Sequence, residues 1–105
     1  MKISTRDTVT HLKGDLTHSG VTNSIINSLA ASLQHIVSVG KKHIRIDCRW
    51  ICSADTSGLQ LLYVWMQCAR FRGVEPQLIN LPVNLVQTIQ NMGLGHCFPE
   101  TIPAG

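Results

Sequence analysis

The sequence predicts a single α/β domain: a mixed sheet of four to five strands with helices packed against it. Three observations carry this. Short β-like runs alternate with long apolar-periodic segments in the order β-β-α-β-α-β-α. Apolar residues in the long segments recur at spacings of three and four, the period of an amphipathic helix. Glycines close these segments where helices end. Strands separated by helices require crossover connections, so part of the sheet is parallel, while an opening hairpin makes it mixed. At 105 residues, 44% of them hydrophobic, the chain suits one domain with one core.

Ile3 to Thr5 and Val9 to Lys13 read as two strands, joined by a tight turn at Arg6-Asp7-Thr8. Val21 to Val39 carries Val21, Ile25, Ile26, Leu29, Leu33, Ile36 and Val37 at helical spacing, and Gly40 stands in the C′ position. His43 to Cys48 alternates, with Ile44, Ile46 and Cys48 on one face and Arg45 and Asp47 on the other. A second helix from about Ser57 to Arg72 has the core stripe Leu59, Leu62, Trp65, Met66 and Ala69, and Gly73 ends it. Gln77 to Asn80 is a last short strand. Pro82 suits the first turn of a third helix, whose apolar face is Leu85, Val86, Ile89 and Met92, closed by Gly93. The domain is expected to span 1–98, with 99–105 a short, loosely held tail.

Composition excludes several function classes. The net charge of +3 is mild and the Lys and Arg residues are scattered, with only Lys41-Lys42 adjacent. Nucleic acid calls for a denser basic stripe, so none is expected as a partner. No apolar run approaches the ~20 residues of a membrane span, and Met1-Lys2-Ile3-Ser4-Thr5-Arg6 is too polar for a signal peptide. A cytoplasmic protein without direct membrane insertion is therefore expected. There, Cys48, Cys52, Cys68 and Cys97 are thiols rather than disulfides. The spacing of Cys48 and Cys52 is neither zinc-knuckle nor thioredoxin-like. His11, His18, His35, His43 and His96 show no ligand spacing, so neither a metal nor a cofactor is implied. No motif pairs a cysteine with a histidine as a nucleophile, and no enzyme activity is expected. Trp50 and Trp65 read as packing residues.

One stretch does suggest chemistry. Ala54-Asp55-Thr56-Ser57-Gly58-Leu59 follows a β-like run and opens the second helix. Small hydroxyl side chains there lie beside unpaired backbone N–H groups and the positive end of the helix dipole, a favourable place for an added phosphate. Read from residues alone, Asp-Thr-Ser at a helix start is ordinary N-capping.

Together with that stretch, other pieces form a pattern from about Thr10 to Phe98. They are Gly14-Asp15-Leu16, Ile44-Arg45-Ile46-Asp47, Gly73, Leu78-Ile79-Asn80-Leu81, and Met92-Gly93-Leu94 with Phe98. In this order and at these spacings the chain resembles the STAS domain family, the anti-sigma factor antagonists. The resemblance implies a small, non-catalytic bacterial regulator of transcription acting by partner switching. A serine kinase of ATPase-type fold, often the anti-sigma factor itself, would phosphorylate the serine directly before the glycine, here Ser57. The unphosphorylated form would bind its partner, the phosphorylated form would release it, and a protein serine phosphatase would reset the switch. Thr56 is a second candidate acceptor. Asp55, Thr56, Ser57, Gly58, Gln60, Leu61, Val64, Thr17 and His18 are the expected partner-binding residues. One departure stands out. Family members with this activity often carry Gly-Glu-Leu-Asp before the first helix, whereas this chain has Gly14-Asp15-Leu16-Thr17, then His18. A carboxylate that the resemblance places near the acceptor is therefore replaced by Thr17.

Asp55 has two roles open to it, orienting the Ser57 hydroxyl or capping the helix. Gly58 would let a partner approach closely. Val64 and Phe71 fall with Gln60 and Gln67 on the outer side of the second helix, either as a partner surface or beneath another helix. Two further functions stand beside the switch. A STAS domain can be a constitutive cytoplasmic subunit of a lipid-transport ABC complex, with Thr56 and Ser57 making interface hydrogen bonds. A phosphate-bearing small ligand could sit at the helix start, although no Gly-rich loop or basic clamp reinforces that reading.

Overall fold

The computed structural model describes residues 1–6 and 9–98. The elements are β1 (Lys2–Arg6), β2 (Val9–Leu16), α1 (Asn23–Ser38), β3 (His43–Ala54), α2 (Thr56–Phe71), β4 (Glu75–Ile79) and α3 (Val83–Asn91), followed by a 3-10 turn at Gly95–Cys97. The order is the predicted one. The expected turn residues Asp7 and Thr8, and the tail from 99 to 105, lie outside the described residues.

The four strands pair in the order β1-β2-β3-β4. β1 and β2 are antiparallel, while β2–β3 and β3–β4 are parallel. Leu29, Leu33 and Ile36 of α1, the stripe Leu59, Leu62, Trp65, Met66 and Ala69 of α2, and Leu85 and Ile89 of α3 join Leu12, Ile44, Ile46 and Leu78 in one core. The helices thus share one face of the sheet. On the other face Lys2, Lys13, Arg45 and Gln77 are exposed. Trp65 also donates its indole N–H to the Leu29 carbonyl at 2.9 Å, which fastens α2 to α1. Buried Thr10 is satisfied through Thr5 at 3.0 Å, and Thr5 in turn meets Ser32 of α1.

Helix ends follow the glycines. Gly40, at φ +76°, lets its own N–H reach the Val37 carbonyl and the Lys41 N–H reach the Ile36 carbonyl. This pair of bonds is a Schellman closure. The same two bonds end α2 at Gly73 and α3 at Gly93.

Three expectations are corrected. β3 continues six residues past Cys48, to Ala54. Its pairing with β2 slips between His11↔Asp47 and Lys13↔Trp50, and again between Gly14↔Ile51 and Asp15↔Ser53, so β3 runs ahead by a residue each time. Such bulges break the alternation by which a strand is read. They also leave Trp50 on the open face, 56% exposed, rather than packed. Met92 is the C-cap of α3 and exposed, not part of its apolar face. Asp47 points away from the helices as expected, yet it is buried. His11 Nδ1 lies 3.1 Å from its Oδ2, while the Arg49 N–H (3.0 Å) and the Asn80 side-chain amide (3.3 Å) donate to its Oδ1. Burial pushes this carboxyl up, but the Arg49 amide, Asn80, and the His11 and Arg49 charges together hold it below the ordinary carboxylate range.

Candidate functional site: the N-terminus of the second helix

Three segments meet where α2 begins: the β2–α1 loop, the last residues of β3, and the end of α3. Asp55 is the N-cap of α2, with extended backbone at φ −128°. Its Oδ1 accepts the Gly58 N–H at 2.8 Å, the capping bond. Its Oδ2 accepts the His18 N–H at 2.9 Å across the loop after β2. Its own backbone N–H reaches the Leu16 carbonyl at 3.1 Å. One side chain therefore caps the helix and fixes the neighbouring loop. The amides of His18 and Gly58, with the His18 charge, hold the Asp55 carboxyl below its usual range.

Of the two roles open to Asp55, the hydrogen bonds select capping. Thr56 and Ser57 follow as the first two helical residues, both exposed. The Thr56 hydroxyl donates to the Met92 sulfur at 3.5 Å. Among the described residues the Ser57 hydroxyl has no hydrogen-bond partner, so it stands open at the positive end of α2. Gly58 departs from expectation. It is buried, and a Cβ at this position would stand 1.9 Å from the Leu16 carbonyl oxygen. Its lack of a side chain serves close approach of α2 to β2 within the chain, not approach of a partner.

Thr17 lies beside the site but is engaged locally, its hydroxyl accepting the Gly20 N–H at 3.2 Å. Asp15, before it, accepts a hydrogen bond from the Ser53 hydroxyl at 2.9 Å. His18 enters through its backbone, and its side chain is exposed. Gln60 and Val64 are exposed and Leu61 half-buried on the helix ridge that leads away from Ser57. No described helix covers that ridge: Val64 is 55% and Phe71 93% exposed. The sequence reading missed Met92 as a neighbour of Thr56. Its place in an apolar helical pattern concealed a position at the helix end. The cysteines form no disulfide. Among the described residues no group of His, Cys, Asp and Glu could hold a metal ion, and no helix is long and apolar enough to cross a membrane.

A family model described as Mlab, STAS domain, matches residues 2–102. The chain belongs to the STAS domain family. Two solved structures are similar to this STAS domain. One is the anti-sigma factor antagonist SpoIIAA in its unphosphorylated form, 17% identical with a TM-score of 0.55, covering 85% of this chain and 80% of that one. The other is the Bacillus cell fate determinant SpoIIAA in the phosphorylated form, 19% identical with a TM-score of 0.56, covering 92% and 86%. At these identities the likeness is one of fold. No curated protein sequence matches. A STAS domain of this kind, α/β with a four-stranded mixed sheet, is a non-enzymatic regulatory fold, the one on which SpoIIAA is built.

Proposed function

We propose that this STAS domain is an anti-sigma factor antagonist-like switch. It binds a serine kinase of ATPase-type fold, itself an anti-sigma factor or linked to a response regulator, while Ser57 is unmodified. Phosphorylation of Ser57 by that kinase ends the binding, and a serine phosphatase restores it. The observation that carries this reading is the state of the Ser57 hydroxyl: exposed at the start of α2, beside a capped and cross-braced loop.

The physics favours a local switch. A phosphoserine carries about −1.5 to −2 charges at neutral pH. At a helix N-terminus a negative charge is favoured by ~0.3–1 kcal/mol, so the domain accepts it without refolding. The fold likeness extends to SpoIIAA in both phosphorylation states. A partner packed over Ser57 would instead have to desolvate those charges beside Asp55, at a cost of several kcal/mol. Even ~2.7 kcal/mol is a hundredfold change in dissociation constant.

A second reading is a constitutive subunit of a lipid-transport ABC complex. The local engagement of Thr17, where the switching members carry a carboxylate, favours it. In that case Thr56 and Ser57 supply interface hydrogen bonds and remain unmodified.

Affinity purification from the native host separates the two, with wild type, Ser57→Ala and Ser57→Asp as baits. The switch predicts a serine kinase captured by the first two baits and absent from the third. The same membrane ATPase on all three baits would refute the switch and establish the subunit.

A further inference from the structure

At the far end of β3 from Ser57, the C-termini of α1 and α2 form a second surface. Phe71, the last residue of α2, is 93% exposed and stands between Arg70 and Arg72 in the chain. Val39, the C-cap of α1, is 52% exposed and is followed by the exposed Lys41 and Lys42. The two helix ends are joined through β4. The Lys42 carbonyl accepts the Glu75 N–H at 2.8 Å, and the Glu75 carboxylate lies 3.7 Å from Arg70 Nε. An apolar groove of about 640 Å³ between α1 and α2, lined by Ile26, Leu33, Val64 and Cys68, runs into this corner at Phe71. The other described carboxylates are elsewhere: Asp15 and Asp55 at the opposite ends of their strands, Asp47 buried on the open face.

We infer that the corner formed by Val39, Lys42, Arg70, Phe71 and Arg72 docks on an anionic lipid bilayer. Charge complementarity around an apolar protrusion fits the corner to such a surface. A Phe ring so exposed gains by leaving water. Flanked by cations, it is suited to the boundary between headgroups and acyl chains. Each Lys or Arg held near an anionic surface strengthens binding by about fivefold. This contact is peripheral, needs no spanning helix, and does not depend on the Ser57 reading.

The test is co-sedimentation of the full chain with vesicles of phosphatidylcholine and phosphatidylglycerol in equal parts, against pure phosphatidylcholine. Binding is expected to the mixed vesicles only. Phe71→Ser should weaken it about tenfold, and the pair Lys42→Gln/Arg72→Gln about fivefold per cation. The pair Lys2→Gln/Lys13→Gln, on the open sheet face, should change it less than about twofold, because charges beyond a Debye length are screened. Phe71 packs in no core, so circular dichroism of Phe71→Ser should match wild type, and the Lys42/Arg72 pair tests the surface independently. No sedimentation with the mixed vesicles would overturn the inference. So would undiminished binding by Phe71→Ser, or equal loss in the sheet-face pair. A concentration-dependent molar mass that Phe71→Ser abolishes, without vesicle binding, would assign the corner to a second copy of the chain instead.

Discussion

Asp55 is the residue on which the candidate site turns. Its two oxygens serve two different segments, and both acceptor bonds favour the ionised form. Its folded pKa lies below the ordinary value of 3.8. The stabilisation it gives is therefore complete above that value and is lost as pH falls through the folded pKa. Asp47, also lowered, adds to the same acid window. Asp55→Asn should be less stable than wild type at neutral pH, and the gap should narrow as pH drops below 3.8. Thermal melts at neutral and acid pH check this, and a gap of constant size would show that the charge is not what matters. Much at this scale could be read from the sequence. Asp-Thr-Ser-Gly at a helix start announced the cap and both hydroxyls. The partners of Asp47 could not be read, because His11 reaches it from β2 and Asn80 from just past the end of β4.

At the scale of elements, the decisive contact is α2 against the end of β2. Gly58 is the only residue type that lets the Leu16 carbonyl approach so closely, since even a methyl group would sit 1.9 Å from backbone oxygen. Gly58→Ala must therefore shift the helix or the strand. A loss of about 3 kcal/mol is expected from such overpacking, and chemical denaturation would measure it. A loss below roughly 0.5 kcal/mol, the range of ordinary surface substitutions, would mean that the approach is not tight. The three helices were legible because their stripes keep helical spacing and their ends carry glycine. The second half of β3 was not, because two bulges disturb its alternation and bring Trp50 outward. The openness of the α2 ridge was also undecided by sequence, since an apolar outer face is compatible with a covering helix.

Across the whole molecule, the sheet order and mixed pairing follow from the succession of strands and helices, and the family pattern spans nearly the full chain. The principal extents of 36 × 34 × 20 Å suit one layer of helices on one sheet. This arrangement places the exposed serine at one end of β3 and the exposed phenylalanine near the other. A charge added at Ser57 thus acts on whatever covers that end, and it need not be transmitted through the core. The central claim is that phosphate on Ser57 expels a bound partner. Its most direct test is titration calorimetry of the captured kinase against wild type and the Ser57-phosphorylated chain. The account predicts a dissociation constant at least about a hundredfold larger for the phosphorylated form; equal constants would contradict it.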